Sequence, residues 1–417
     1  MIVLNSYAIA KEQYANVGVD TEKALDLLER TPLSIHCWHG DDVTGFESDQ
    51  ALTGGIQVTG NTPGRARNPQ ELMQDLDEAL RLIPGRHRVN LHAIYAVTNG
   101  EAVERDSLEF RHFAPWVDFA EERGMGIDFN PTLFSHPKAD AGYTLSSADE
   151  SIRRFWVDHC KATRKLSAQI GRKLGSPCLH NLWIADGAKE VPVDRLSPRL
   201  RLKQSLDEIF AEEYEECELI DSLESKLFGI GLEAYTVGSL EFYLGYAARG
   251  KALCLLDNGH YHPTEQVADK ISSLLVYSDR LALHLTRHMR WDSDHVVRLN
   301  DEMRDIAGEL VAYGALERTS IGLDFFDASF NRIAGWVIGA RSAQKAILTA
   351  LLTPYHRLRE MQGAGDVAHL MALQEELKGY AWGAVWDEFC RRQNVPEGTG
   401  YIKEIARYET QVLSNRT

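Results

Sequence analysis

The sequence lacks most of what would mark a membrane, secreted or nucleic-acid-binding protein. No apolar run approaches the roughly 18–20 residues needed to cross a bilayer. Met1-Ile2-Val3-Leu4-Asn5 offers no basic start, no long apolar stretch and no small-residue cleavage site. Cysteine is scarce: Cys37, Cys160, Cys178, Cys217, Cys254 and Cys390 lie far apart with no CxxC pairing. Thin spacing of this kind suggests free thiols in a reducing compartment rather than a disulfide framework, so the expected setting is cytoplasmic. Positive charge is in deficit as well. Lys plus Arg number 45 against 61 Asp plus Glu, a net charge of −16, which argues against partners held through phosphate. A small neutral substrate needs no such steering. The glycine-rich stretch Leu52–Asn61 lacks the GxxxxGK[ST] spacing of a phosphate loop. It reads instead as a loop able to close over a ligand.

What the chain does have is length and alternation. Its 417 residues, 44% of them hydrophobic, can bury a large core. Short apolar runs that read as strands are Ser34–Trp38, Arg88–Ile94, Gly126–Asn130, Leu179–Ile184, Ser222–Phe228, Ala252–Asp257, Leu281–Leu285 and Ser320–Phe325. Amphipathic helix patterns lie between them, including Glu71–Leu82, His112–Arg123, Asp149–Leu174, Arg199–Glu213, Pro263–Val276 and Asp301–Tyr313. Asn68-Pro69 reads as an N-cap followed by N1, Ser147 and Asp149 as caps, and Gly124 as a stop. Eight such β/α units predict an α/β fold, a (β/α)₈ TIM barrel with additional N- and C-terminal helices. A doubly wound open sheet is the rival, but it would gather its ligands at one crevice. Residues 1–330, with an N-terminal helix over Ser6–Arg30, are expected to form the barrel. Residues 331–417 are expected to form a helical extension, with helices at Arg341–Leu352, Ala368–Tyr380 and Ile402–Ser414. The extension would pack on the barrel and take part in oligomer contacts.

Several strand-like runs close on residues that bind metals. Leu223-Glu224-Ser225-Lys226, Leu255-Leu256-Asp257 with His260, Leu283-His284, Trp291-Asp292-Ser293-Asp294 and Leu323-Asp324 recur in consecutive units. Side chains alternate across a strand, so Glu224 and Lys226 share a face, as do Asp292 and Asp294. Five carboxylates gathered at one barrel end would repel unless protonated or neutralised. Two divalent ions would bring a charge of +4 against −5 from Glu224, Asp257, Asp292, Asp294 and Asp324. Imidazole with carboxylate suits Mn²⁺, Zn²⁺, Co²⁺ or Mg²⁺, and no thiolate occupies a matching place. A single aspartate at a strand end is more simply a helix cap or a partner for Arg287 or Arg290. A recurring set points to a metalloenzyme. His92 and Trp183, each closing a strand, would face the same end, while Asp41-Asp42 reads more simply as a solvated turn.

These segments together resemble the L-rhamnose isomerase family over essentially the whole chain. The resemblance is carried by Ile35-His36-Cys37-Trp38 with Gly40-Asp41-Asp42, Leu52–Gly60, Asn90-Leu91-His92-Ala93-Ile94-Tyr95, Asp128-Phe129-Asn130-Pro131 and Phe134-Ser135-His136-Pro137. Further matches are Glu224 to Gly231, Gly259-His260-Tyr261-His262-Pro263-Thr264-Glu265, Arg290-Trp291-Asp292-Ser293-Asp294-His295 and Gly322-Leu323-Asp324-Phe325-Phe326-Asp327-Ala328. It implies a (β/α)₈ barrel, usually homotetrameric, that interconverts L-rhamnose and L-rhamnulose with Mn²⁺ as the usual ion. It implies two metal positions. Glu224, Asp257, His284 and Asp324 match the structural one; His260, Asp292 and Asp294 match the catalytic one, with Glu224 able to bridge. Lys226 matches a lysine near the substrate carbonyl, and His92 and Trp183 match substrate-pocket residues.

The expected chemistry is a metal-assisted 1,2-hydride shift, with Lys226, Asp292, Asp294 and Asp324 as the catalytic residues and an enediol route as its rival. Two other classes fit less well. A metal-dependent hydrolase of phosphoesters would need cationic groups that the composition withholds. A non-catalytic binding protein explains neither Lys226 among the acids nor the paired ligand set. An isomerase of another aldose differs only in pocket shape, and the apolar Leu52, Ile56 and Val58 would favour a deoxy sugar by covering its C6 methyl group.

Overall fold

The computed structural model describes residues 6–38, 45–47, 62–226, 234–289 and 293–416. Among these residues the strands, in chain order, are β1 (Leu33–His36), β2 (His87–His92), β3 (Gly126–Asn130), β4 (Cys178–Trp183), β5 (Gly187–Ala188), β6 (Leu219–Glu224), β7 (Tyr235–Thr236), β8 (Leu253–Asp257), β9 (Leu281–Leu285) and β10 (Thr319–Leu323). Eight of them close a barrel in the order β1-β10-β9-β8-β6-β4-β3-β2. Every pairing in it is parallel, including the closing one, where Leu33 lies opposite Ile321 and Ser34 opposite Gly322. β5 and β7 form a small antiparallel ribbon outside the barrel. The expected (β/α)₈ barrel is the observed fold, and all eight expected strands lie in it.

The strands are apolar on both faces because one face fills the barrel and the other meets helices. Register shows which residues go inward. Leu179 pairs with Ile220, Leu255 with Ala282, and these four make a buried cluster separate from the main core. Two residues further along the same strands come Asn181, Ser222, Asp257 and His284, and Glu224 follows Ser222 by two. A period of two therefore stacks an apolar layer beneath a polar one inside the barrel. Beside the apolar layer, Arg88 pairs with Asp128 at 2.8 Å. Between these positions the outward residues face helices: Asp221 pairs with Arg164 of helix Glu150–Leu174 at 2.8 Å, and His180 meets Thr163 of the same helix.

Helix ends follow the sequence signals. The Asn68 side chain accepts from the Glu71 amide with Pro69 at N1, and Asp149 accepts from Ser151 and Ile152. The single N-terminal helix expected over Ser6–Arg30 is instead two, Ser6–Ala15 and Thr21–Arg30. Gly18, at φ +84°, turns the chain, and Asp20 caps the second helix through the Glu22 and Lys23 amides. Beyond residue 330 the β/α alternation continues. Helix Arg332–Leu351 follows β10 as an eighth helical unit and packs on β1, on helix Pro69–Leu80 and on helix Asp301–Ala312. Helices Tyr355–Gly363, Val367–Lys378, Trp382–Arg392 and Gly400–Gln411 come after it, and Trp386, Ile405 and Tyr408 join the main core. No helix among the described residues is long and apolar enough to cross a membrane.

Candidate metal centre and sugar pocket

At the carboxyl ends of the barrel strands, Glu224 closes β6, Asp257 closes β8, His284 sits one residue before the end of β9, and Asp324 follows β10. One potential ligand atom from each lies within 4.8 Å of all the others. Glu224, Asp257 and His284 are buried, and Asp324 is half-buried. His284 Nδ1 stands 3.3 Å from Asp324 Oδ2, 3.5 Å from Glu224 Oε2 and 4.0 Å from Asp257 Oδ2. Yet these approaches are not hydrogen bonds: among the described residues His284 Nδ1, Asp257 Oδ2 and Asp324 Oδ1 have no hydrogen-bond partner. Buried polar atoms are seldom left so, and three of them converging on one point suit a divalent cation.

The remaining polar atoms of the cluster are tied down. Asn181 donates to Glu224 Oε2 at 2.5 Å and accepts from Ser222 at 2.9 Å. The Gly259 amide donates to Asp257 Oδ1 at 2.7 Å. Asn258 exchanges two hydrogen bonds with the backbone of Thr286, locking the loop after β8 to the loop after β9. Such partners orient ligands and leave their free lone pairs pointing inward.

Electrostatics express the same demand for positive charge. Burial works against the Glu224 carboxylate, but His284, then His260 and the Asn181 hydrogen bond, outweigh it and hold the group at about 2. Burial would likewise strip the proton from His284, and the charges of Glu224 and Asp324 instead raise its pKa well above the usual value. Asp257 is pushed up to about 7, chiefly by burial, with Glu224 and Asp324 adding to the rise and His260 and His284 opposing it. The acids compete for too little cationic charge, and a divalent ion would relieve them all.

The structure brings one expected ligand set together. The other, His260, Asp292 and Asp294, is not assembled among the described residues, because Asp292 lies outside them. His260 is nonetheless beside the cluster, its Nδ1 3.2 Å from Glu224 Oε1 and 3.0 Å from Ser225 O. Asp294 adopts φ +43°, and its carbonyl accepts from the Phe326 amide just beyond Asp324. Lys226 lies two residues past Glu224, its ammonium 4.8 Å from the centre of the Trp183 ring. Trp183 packs edge-on against Phe134 at 5.3 Å, and Phe134 meets His92 at 5.9 Å. His92 also meets Trp38 at 4.7 Å, and Trp38 stacks on Phe326. One wall of the mouth is thus aromatic. Asp41, Asp42 and the Leu52–Asn61 stretch with Leu52, Ile56 and Val58 lie outside the described residues, as do Arg290 and Trp291.

The sequence assigned no site role to Asn181, Thr132 or Phe134, although Phe134 lies in one of the segments that carry the family resemblance. Asn181 shares the parity of Trp183 on β4, so alternation alone places it inside the barrel. Thr132 offers no such signal, because it lies in the loop after β3.

A family description, L-rhamnose isomerase (RhaA), matches residues 1–416. The L-rhamnose isomerase of Escherichia coli O9:H4 (strain HS) is 53% identical over 413 residues, covering 99% of this chain and 98% of the relative. That of Salmonella paratyphi B (strain ATCC BAA-1250 / SPB7) is 53% identical over 414 residues with the same coverage. Among solved structures, a D-psicose 3-epimerase with D-tagatose from Clostridium cellulolyticum H10 aligns at 14% identity and TM-score 0.46, covering 76% of this chain and 97% of that one. A D-tagatose 3-epimerase-like protein aligns at 12% identity and TM-score 0.47, covering 68% and 93%.

Proposed function

Since the chain belongs to the L-rhamnose isomerase family, and is thereby an aldose–ketose isomerase, we propose that it interconverts L-rhamnose and L-rhamnulose. The observation that carries this reading is the buried cluster of Glu224, Asp257, His284 and Asp324, set beside Lys226, Trp183 and His92 at one barrel mouth. These four side chains would hold one divalent ion, and His260 with Asp292 and Asp294 would hold a second. A bound ion supplies the means to polarise the sugar carbonyl and to stabilise negative charge on its oxygens.

The chain's own groups do the rest. Aldose becomes ketose when hydrogen moves with its electron pair from C2 to C1 and the O2 proton passes to O1. Lys226 stabilises negative charge at O1. Asp292, Asp294 and Asp324 steer the proton between the two oxygens. Trp183 and Phe134 wall the reacting carbons from water, which favours hydrogen transfer within the substrate over exchange with solvent. His92 hydrogen-bonds the ring oxygen and assists opening of the pyranose. The reading includes Mn²⁺ as the ion, a homotetrameric assembly and a cytoplasmic setting, in which Cys37, Cys160, Cys178, Cys217, Cys254 and Cys390 stay free.

Incubating metal-stripped protein with L-rhamnose, with and without Mn²⁺, in H₂O and in D₂O, tests the reading. Ketose should form only with Mn²⁺, and product made in D₂O should carry little deuterium at C1. Substantial deuterium would replace the hydride shift by an enediol. Folded protein that forms no ketose with any divalent ion would end the isomerase reading.

A further inference from the structure

The loop after β3 is held in an expensive shape. Thr132 is fully buried at φ +60° and Ser135 lies at φ +51°, a region that residues other than glycine rarely adopt. The buried Arg105 guanidinium clamps this loop. It donates to the carbonyls of Thr132 at 2.6 Å, Phe134 at 2.7 Å and Ser135 at 2.9 Å, and pairs with Glu47 at 2.8 Å. The ring of His159 lies 2.6 Å from Pro131 O, and the Thr132 amide donates to Asn130 Oδ1 at 2.8 Å. This much scaffolding holds one hydroxyl in one place.

That hydroxyl meets His92. Thr132 Oγ1 accepts from the Ala93 amide at 3.1 Å and lies 2.9 Å from His92 Nδ1. Its own proton has two possible acceptors, His92 Nδ1 at 2.9 Å and Asn130 O at 3.5 Å. The shorter contact is the better bond, since 3.5 Å is at the limit for O–H···O. With Nδ1 accepting, a neutral imidazole must carry its hydrogen on Nε2. The ring is neutral: burial, the largest influence, drives its pKa down to about 3 against the pull of Glu224. Among the described residues the ring is hydrogen-bonded through Nδ1, and Nε2 is the nitrogen that can serve a ligand.

We propose that Thr132 is a positioning residue that fixes the tautomer of His92, setting the N–H on Nε2 so that the ring donates to a sugar oxygen. The proposal rests on the placement of His92 in the sugar pocket. It makes His92 a donor and never a base in the resting enzyme. Arg105 acts one step further out, by holding Thr132 where its hydroxyl reaches Nδ1.

The test separates the tautomer from the activity. Long-range ¹H–¹⁵N spectra of protein loaded with diamagnetic Mg²⁺ and labelled in histidine, with His92 assigned by its loss in His92→Asn, should show Nε2 protonated and Nδ1 bare. Thr132→Val keeps the branched shape and removes the hydroxyl. It should mix or reverse the tautomers and lower kcat/KM for L-rhamnose about tenfold, as loss of one neutral hydrogen bond would. Thr132→Ser should restore both. A protonated Nδ1 in the unsubstituted protein, or a Thr132→Val protein with unchanged spectrum and kcat/KM, would overturn the assignment. A His92→Asn protein as active as its parent would overturn the sugar contact itself, whatever tautomer the spectra report.

Discussion

The amide of Asn181 donates to Glu224 and accepts from Ser222, so one side chain on β4 aims a carboxylate on β6. Replacing Asn181 with Ala should leave the barrel folded and weaken Mn²⁺ binding by about 10–100-fold, the usual cost of losing a partner behind a metal ligand. Titration calorimetry of the stripped protein would measure it, and an unchanged affinity would remove Asn181 from the site. At this scale the sequence was most legible where strand geometry is strict. Glu224, Asp257 and His284 end apolar runs, and strands place such residues at a barrel mouth whatever lies around them. Thr132 was not legible, because its meaning lies in a positive φ and in an arginine 27 positions away in sequence. No local pattern encodes either.

Elements were legible in proportion to how sharply they are bounded. β3 and β9 coincide with the runs Gly126–Asn130 and Leu281–Leu285, which polar residues and turns delimit on both sides. Helix Arg332–Leu351 was read only from Arg341, because its first half is buried on nearly every side and carries Gly335 and Gly339, so it shows no polar stripe. Helices Leu240–Ala247, Tyr355–Gly363 and Trp382–Arg392 were not read at all; the first two are short, which blurs any period. Among the described glycines, the closest approach of a helix to the barrel backbone is at Gly171 of helix Glu150–Leu174. A Cβ there would sit 1.9 Å from Glu218 O and 3.1 Å from Cys178 N, at the entries to β6 and β4. Both neighbours are backbone, so Gly171→Ala must push the helix off the barrel. The expected loss is about 1–3 kcal/mol, read as a lower midpoint in thermal and urea unfolding. A midpoint equal to the parent's would show that the helix can shift at no cost.

For the whole molecule, acid is the stress that reaches furthest into the core. His87 opens β2 with its pKa lowered to about 4 by burial, against about 6.5 in an unfolded chain. Its folded pKa is depressed, so the unfolded chain takes up the proton first. The stability it contributes is complete above about pH 6.5 and is lost as pH falls towards about 4. The thermal midpoint should therefore fall across that window, and less steeply in His87→Gln. Parallel slopes for the two proteins would clear His87 of the effect. At the far end of the chain, Arg416 makes two hydrogen bonds to the buried carboxylate of Asp75, at 2.5 and 2.8 Å, and Tyr408 adds a third. Asp75 belongs to helix Pro69–Leu80, and β1, which precedes it, pairs with β10. The ribosome thus delivers an acid early and its counter-charge more than three hundred residues later. While translation proceeds, the nascent chain carries the Asp75 carboxylate before Arg416 arrives, and β1 has β2 beside it but lacks β10, the second of its two neighbours. Growth from the N-terminus, which lets many domains settle piece by piece, cannot finish this one. The barrel closes only when β10 arrives to pair with β1, and until then the emerging polypeptide keeps an open sheet edge of the kind that other strands can pair with.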